Sequence, residues 1–271
     1  MNEAYKSEVW QRFWFRTGNR YHPGEIAGWS EAESCAEAIC RIFAEHGITK
    51  GKVLDICCGT GRLSTWLAKK GFTAVGLDIS ALYLREAEKK AREHGVQSNV
   101  KFLVGDMRDL DEVAGSESPF DCVINFRNSL GFWGTKVDEM IFSKARKVTR
   151  KRGVLIIGEC DHLGQLMLNF DKTRVYDSEN AVMISEADMN YISGMFTAVF
   201  RYYAKKGDDL TYQDSFNYQA RVYSVSELTS LLEKVGWKVT NAYESIEEME
   251  PFTNISIFKG STSMNVVAEA D

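Results

Sequence analysis

Apolar residues recur in two rhythms along this chain, one of helical period and one that is short and continuous, and the two alternate. Cys35, Ile39, Ile42 and Phe43 fall on one helical face, opened by Ser30 with Glu33 three residues on and stopped by Gly47. Val53 and Leu54 then begin a short apolar run that ends in Asp55-Ile56-Cys57-Cys58-Gly59-Thr60-Gly61, after which Leu63, Trp66 and Leu67 return to the helical period. The same alternation continues through a strand over 73–78, a helix over 81–93 ended by Gly95, and strands over 100–105 and 120–125. A helix over 137–148 follows, with Met140, Ile141, Ala145 and Val148 facing inward, and then a fully buried strand over 153–159. Strands alternating with helices predict an α/β fold around a parallel sheet.

Residues 171–223 break the rhythm. Val182–Ser185, Met195–Tyr203 and Leu210–Tyr223 are rich in β-branched and aromatic residues and are separated by turn signals such as Lys206-Gly207-Asp208-Asp209, which predicts an antiparallel β insertion. The chain then resumes with a helix from Ser224, capped by Glu227 and ended by Gly236. Residues 238–243 and Ile255-Ser256-Ile257-Phe258 are the candidates for a final strand pair, which Asn265–Ala268 extends. The first 29 residues carry Tyr5, Trp10, Phe13, Trp14, Phe15, Tyr21 and Trp29, either as an amphipathic helix packed on the domain or as a lid over a cleft. The expected division is a lid segment over 1–29, a core over 30–170 and 224–271, and the insertion over 171–223.

Composition narrows the function. Among 271 residues, 26% are charged and 44% hydrophobic, ordinary for a soluble globular chain, and the net charge of −5 gives no general attraction to nucleic acid or an anionic membrane. Lys144, Arg146, Lys147 and Arg150–Arg152 form a basic cluster with no interleaved aromatics, which reads as a solvated helix end rather than a nucleic-acid site. Six cysteines without paired spacing suggest reduced thiols and no zinc, and no apolar run is long enough to span a bilayer. A cytoplasmic protein is expected.

The chemistry concentrates at strand ends. Asp55 closes the first strand just before Gly59 and Gly61, which let a ligand approach the backbone; Asp78 closes the second at the spacing from which an acid takes a ribose hydroxyl pair; Asp106 closes the third. Gly59-x-Gly61-x-x-Ser64 also imitates a dinucleotide fingerprint, but a pyrophosphate beside Asp55 would meet a like charge. These residues resemble the acid-x-Gly-x-Gly-x-Gly motif and later acids of class I S-adenosylmethionine (SAM) dependent methyltransferases, with Cys57 in the first glycine's place. A positive φ at Cys57 would strain a cysteine, whereas an extended backbone would not.

The resemblance implies a doubly wound, seven-stranded, mostly parallel Rossmann-like sheet. It also implies SAM as cofactor, leaving S-adenosylhomocysteine, with Asp55, Cys57, Gly59 and Gly61 at the methionine end. Asp78 and Ile79 would lie at the ribose, Asp106 and Met107 at the adenine, and Asn125 beside the methyl group. Asn125 is not followed by the paired prolines of amide- and adenine-methylating members. Phe126-Arg127-Asn128-Ser129-Leu130-Gly131 looks instead like the loop of the small-molecule branch. Arg127 either holds an anionic substrate group or pairs with a nearby acid. His162, just past the fifth strand, is the candidate general base, or else a surface cap on the next helix. Tyr21, Asn128 and Tyr218 are further substrate candidates, and the insertion is expected to roof the site or to join subunits as a homodimer. The alternatives left open are a SAM-binding module without catalysis, an RNA or protein methyltransferase, and a nicotinamide oxidoreductase.

Overall fold

The structure, a computed structural model, describes residues 29, 31–127, 129–168, 170–177, 181–252 and 263–271. The expected lid residues up to 28, the cap Ser30, the substrate candidates Tyr21 and Asn128, and the strand candidate Ile255–Phe258 lie outside the described residues.

Five parallel strands form the centre: β1 (Lys52–Ile56), β2 (Thr73–Asp78), β3 (Val100–Val104), β4 (Phe120–Phe126) and β5 (Thr149–Cys160). They join β10 (Trp237–Ser245), the two-residue β11 (Glu250–Pro251) and β12 (Met264–Ala270) in one sheet of order β11-β10-β12-β5-β4-β1-β2-β3. Among the described residues this sheet therefore has seven longer strands, the number expected, and a short eighth at the edge. The partner that pairs antiparallel with both β10 and β5 is Met264–Ala270. Its residues 264–268 are all buried, as a strand between two neighbours must be.

Side chains alternate between two cores, because successive strand residues point to opposite faces. Val53, Val154 and Ile156 pack with Cys35, Ile39 and Phe43 of α1 (Ala32–Glu45) and Leu63 and Leu67 of α2 (Arg62–Lys69). Leu54, Leu155 and Ile157 pack on the other face with Ile141 and Ala145 of α5 (Thr135–Val148) and Leu228 and Leu232 of α7 (Val225–Lys234). Met140 is exposed rather than inward; Phe142 takes the buried position. Between these lie α3 (Ala81–Glu93), the single turn α4 (Leu110–Val113) and α6 (Leu163–Leu168).

The insertion is a second, four-stranded antiparallel sheet in the order β6 (Thr173–Asp177), β7 (Ala181–Asn190), β8 (Met195–Lys206), β9 (Asp209–Arg221). Its return to the core is tied at Tyr223. The Tyr223 carbonyl accepts Leu163 N–H at 2.9 Å, and its buried hydroxyl donates to Asp138 of α5 at 2.5 Å. Asp138 also accepts the N–H of Gly131 at 3.3 Å, and Gly131 accepts Arg221 N–H at 2.9 Å. At φ 88°, a Cβ on Gly131 would lie 2.0 Å from the Arg221 carbonyl, so the β4 loop and the end of β9 pack backbone against backbone. The β4 loop, the exit from β5 and the end of the insertion thus meet at one buried carboxylate.

Candidate active site

The turn after β1 takes left-handed backbone at alternate positions: Cys57 at φ 60°, Gly59 at 56° and Gly61 at 73°. Cys57 therefore does sit where glycine would be unstrained, at a cost of about 1 kcal/mol. Gly61 is fixed by packing as well, because a Cβ there would meet Ala87 and Phe102 at 2.8 Å. The winding places the turn along the carboxyl ends of β1 and β2, at the edge where α/β sheets bind ligands.

A cavity of about 740 Å³ opens there. One end is lined by Asp55, Cys57, Gly59, Asp78, Ile79, Asp106 and Met107, seven of the nine residues expected at the cofactor. Asp55 accepts Ser64 Oγ at 2.6 Å, and burial pushes its carboxyl up to about 6 against the pull of Ser64 and the nearby Arg62. Asp78 accepts the N–H of Gly59 and of Ser80, each at 2.9 Å, and burial also pushes it up to about 6. Asp106 forms a forked ion pair with Arg108, whose guanidinium lies 4.5 Å over the Trp133 ring.

Two expected residues fall elsewhere. Gly61 lies behind the wall, and Asn125 is buried, donating from Nδ2 to the Ile56 carbonyl and to Ser129 Oγ, both at 2.9 Å. Its role is to hold the end of β1 and Ser129, and Ser129 rather than Asn125 reaches the cavity. The candidate base is also corrected. His162 is 1% exposed and is not part of the cavity lining. Its ring packs edge-on to Phe252 at 5.1 Å, and its Nδ1 accepts Gln165 N–H at 3.2 Å. It caps the following helix as the second reading had it, but as a buried rather than a surface residue, where its backbone bridges in parallel to Tyr223.

Arg127 lines the cavity and also pairs with acids, at 3.0 Å to Glu159 and 3.5 Å to Glu31. Glu159 holds Arg62 as well, at 2.7 Å. Sequence reading missed Arg62, although its place directly after Gly61 marks it as the first residue of the helix facing the turn. The far half of the cavity is formed by the β4 loop (Phe132, Trp133) and by the insertion, which supplies Phe196, Phe200, Arg174 and the expected Tyr218. Phe196, Phe200 and Tyr218 share one face of the antiparallel sheet by the two-residue strand period, but only the folded sheet shows which face looks inward.

The lining carboxylates fit one cofactor chemistry better than another. Asp55, Asp78 and Asp106 stand at the ends of adjacent strands, as an ammonium and hydroxyl groups require, and would oppose a pyrophosphate. Comparison with known proteins agrees: a family profile described as methyltransferase domain matches residues 49–236. The chain belongs to this methyltransferase family. The Bacillus subtilis (strain 168) protein YqeM is 26% identical over 227 residues, 81% of this chain and 87% of its own length. A SAM-dependent methyltransferase from Clostridium acetobutylicum superposes with a TM-score of 0.72 at 15% identity, covering 88% of this chain and 91% of that one. The sugar N-methyltransferase KedS8 from Streptoalloteichus superposes at 0.67 with 18% identity, covering 97% and 93%. This methyltransferase is SAM-dependent, and none of its described helices is long and apolar enough to cross a membrane.

Proposed function

We propose that this methyltransferase transfers the methyl group of SAM to a small molecule held between the β4 loop and the insertion sheet. The observation that carries this is the continuity of the cavity. One space joins the carboxylate end, at Asp55 and Asp78, to the aromatic end at Phe132 and Tyr218. The name of KedS8 gives a sugar amine as that protein's acceptor, and the similar fold makes a compact acceptor of this kind reasonable here.

Asp55 would take the donor's ammonium and Arg62 its carboxylate, with Glu159 fixing the guanidinium. Asp78, held by two backbone N–H groups, would present its remaining lone pairs to the ribose hydroxyls, and Asp106 with Met107 would meet the adenine. When bound, SAM supplies a methyl group already activated by its sulfonium. The chain's own contribution is alignment and exclusion of water. Ser129, Phe132 and Trp133 border the acceptor from the loop, and the insertion closes over it as a roof. The division into a core over 30–170 and 224–271, a roof over 171–223 and an N-terminal lid belongs to the same reading. The exposed Val175, Ile192 and Leu210 support a reading in which the outer roof pairs two copies as a homodimer, which light scattering would test.

Calorimetric titration with SAM, S-adenosylhomocysteine and NAD tests the proposal. Binding of the first two, weakened at least tenfold by Asp78→Ala, is expected; binding of NAD alone would return the glycine turn to a dinucleotide role.

A further inference from the structure

Arg108 does not line the cavity, yet its side chain touches two residues that do. It stands in the short turn Met107–Asp109 after β3, and its guanidinium forks onto Asp106, from Nε to both carboxylate oxygens at 3.0 Å and from Nη2 to Oδ2 at 2.5 Å. The same guanidinium lies 4.5 Å from the centroid of the Trp133 ring, on the loop after β4. Trp133 in turn begins a run of rings. Phe132 meets it edge to face at 5.8 Å and meets Tyr218 of β9 at 5.7 Å, and Phe196 and Phe200 of β8 converge on that tyrosine at 5.9 and 6.3 Å. One guanidinium thus joins Asp106, at one end of the cavity, to the loop that walls its far half.

The turn itself does not depend on this side chain. Asp106 caps it by accepting the Arg108 backbone N–H at 2.9 Å, which any residue but proline offers. The Arg108 carbonyl accepts Lys144 Nζ at 2.7 Å, and Lys144 is paired with Asp111 at 2.7 Å. The arginine side chain is 33% exposed, and an ion pair at such a site contributes little to stability. What the fork supplies is orientation: a guanidinium grips a carboxylate in one plane, and the indole ring steadies the guanidinium.

Held in this way, Asp106 is an acceptor only. The group it suits is an amino group, such as that of adenine, and the group it opposes is a carbonyl in the same place, as in hypoxanthine. Resting on the methyl-transfer reading above, we infer that Arg108 is a positioning residue that makes the donor site selective for adenine, and that Trp133 supports the same selectivity by bracing the guanidinium. Without the guanidinium, Asp106 turns away or takes up a proton, and a protonated carboxyl donates to a purine carbonyl where the carboxylate accepts from an amine. The loop that walls the far half of the cavity therefore also serves the donor's base.

The test is calorimetry with S-adenosylhomocysteine and S-inosylhomocysteine, in which a carbonyl replaces the amino group of the purine. The protein should bind the adenosyl compound about a hundredfold more tightly, and Arg108→Ala should reduce that ratio to about tenfold or less. Arg108→Lys, which keeps the charge but loses the fork, should recover only part of it. Trp133→Leu should lower the ratio about threefold in the unaltered protein and not at all in Arg108→Ala, whereas Trp133→Phe, which keeps a ring, should preserve it. Should Arg108→Ala fail to fold, Arg108→Met, which keeps the apolar stem, reads the same ratio. A merely structural role would weaken both ligands by one factor, so an unchanged ratio in the Arg108 variants would overturn the inference. A Trp133→Leu effect of equal size in both backgrounds, or no preference in the unaltered protein, would overturn it as well. Failure of S-adenosylhomocysteine itself to bind would instead sink the methyltransferase reading beneath it, so the two failures are distinguishable.

Discussion

Donor binding should weaken steeply in mild acid, and the structure sets both the sign and the size. Asp55 and Asp78 are buried at the strand ends and each titrates at about 6, raised by burial. In the proposed binding mode the donor's ammonium favours ionised Asp55, and its ribose hydroxyls favour an Asp78 that only accepts. Binding therefore pulls both carboxyls toward the charged form, and affinity is lost as pH falls through 6. At pH 5 about nine-tenths of each acid is protonated, so each costs about tenfold and the pair about a hundredfold relative to pH 7.5. Asp55 also feels the charge of Asp78, so the protons leave as a coupled pair and the transition spreads over a wider range than either acid alone would give. Calorimetric titration of SAM from pH 5.0 to 7.5, in buffers of different ionisation enthalpy, measures affinity and proton release together. About two protons should be released per site at pH 5 and almost none at pH 7.5, and Asp78→Asn should remove one of them. A dissociation constant constant within twofold across this range, or one that falls in acid, would refute the placement of the two carboxylates at the donor.

Arg62→Gln should weaken SAM by about tenfold or more through loss of a charge-assisted contact, while 5′-methylthioadenosine, which lacks the amino-acid head, should bind as before; equal losses for both would remove Arg62 from the donor's carboxylate. Gly131→Ala forces a Cβ to within 2.0 Å of the Arg221 carbonyl at a positive φ, with backbone on both sides, and should lower stability by about 2–5 kcal/mol in urea titration. Tyr223→Phe removes the donor to buried Asp138 and should cost about 1.5–3 kcal/mol by the same measurement. Asp138 itself is pushed up to about 6 by burial, so its stabilising share is complete well below pH 4 and is lost as pH rises through 6. The ligand-free protein's urea midpoint should fall over that window, and Asp138→Asn should flatten its part of the fall.

What could be read without the fold follows from local rules. The turn after β1 was legible because glycines at alternate positions, an acid before them and a helical pattern after them leave few other conformations for the backbone, and the same end-of-strand signal recurs at Asp78 and Asp106. The β-branched and aromatic runs of 171–223, broken by turn signals such as Lys206-Gly207-Asp208-Asp209, marked an antiparallel sheet because such residues fit a pleated surface and tight turns join antiparallel neighbours. Asn125 and His162 were misplaced for one reason: both end or follow a strand at the ligand edge, yet chain position does not say whether a polar side chain turns into the cavity or into the interior. Asn125 turned inward because the carbonyl of Ile56 and the hydroxyl of Ser129 needed a donor, and His162 is buried with its ring against Phe252 where its backbone bridges Tyr223. The meeting of Asp138, Gly131 and Tyr223, and the convergence of Phe132, Phe196 and Phe200 on Tyr218, join residues up to 92 positions apart. Periodicity within one element carries no information about such contacts. Local pattern was enough for the central strands, the glycine turn and the acids at the strand ends, because each is set by neighbours a few residues away. How the insertion folds back to line the far half of the cavity came only from the folded chain, because that depends on which distant backbones can pack together without a side chain between them.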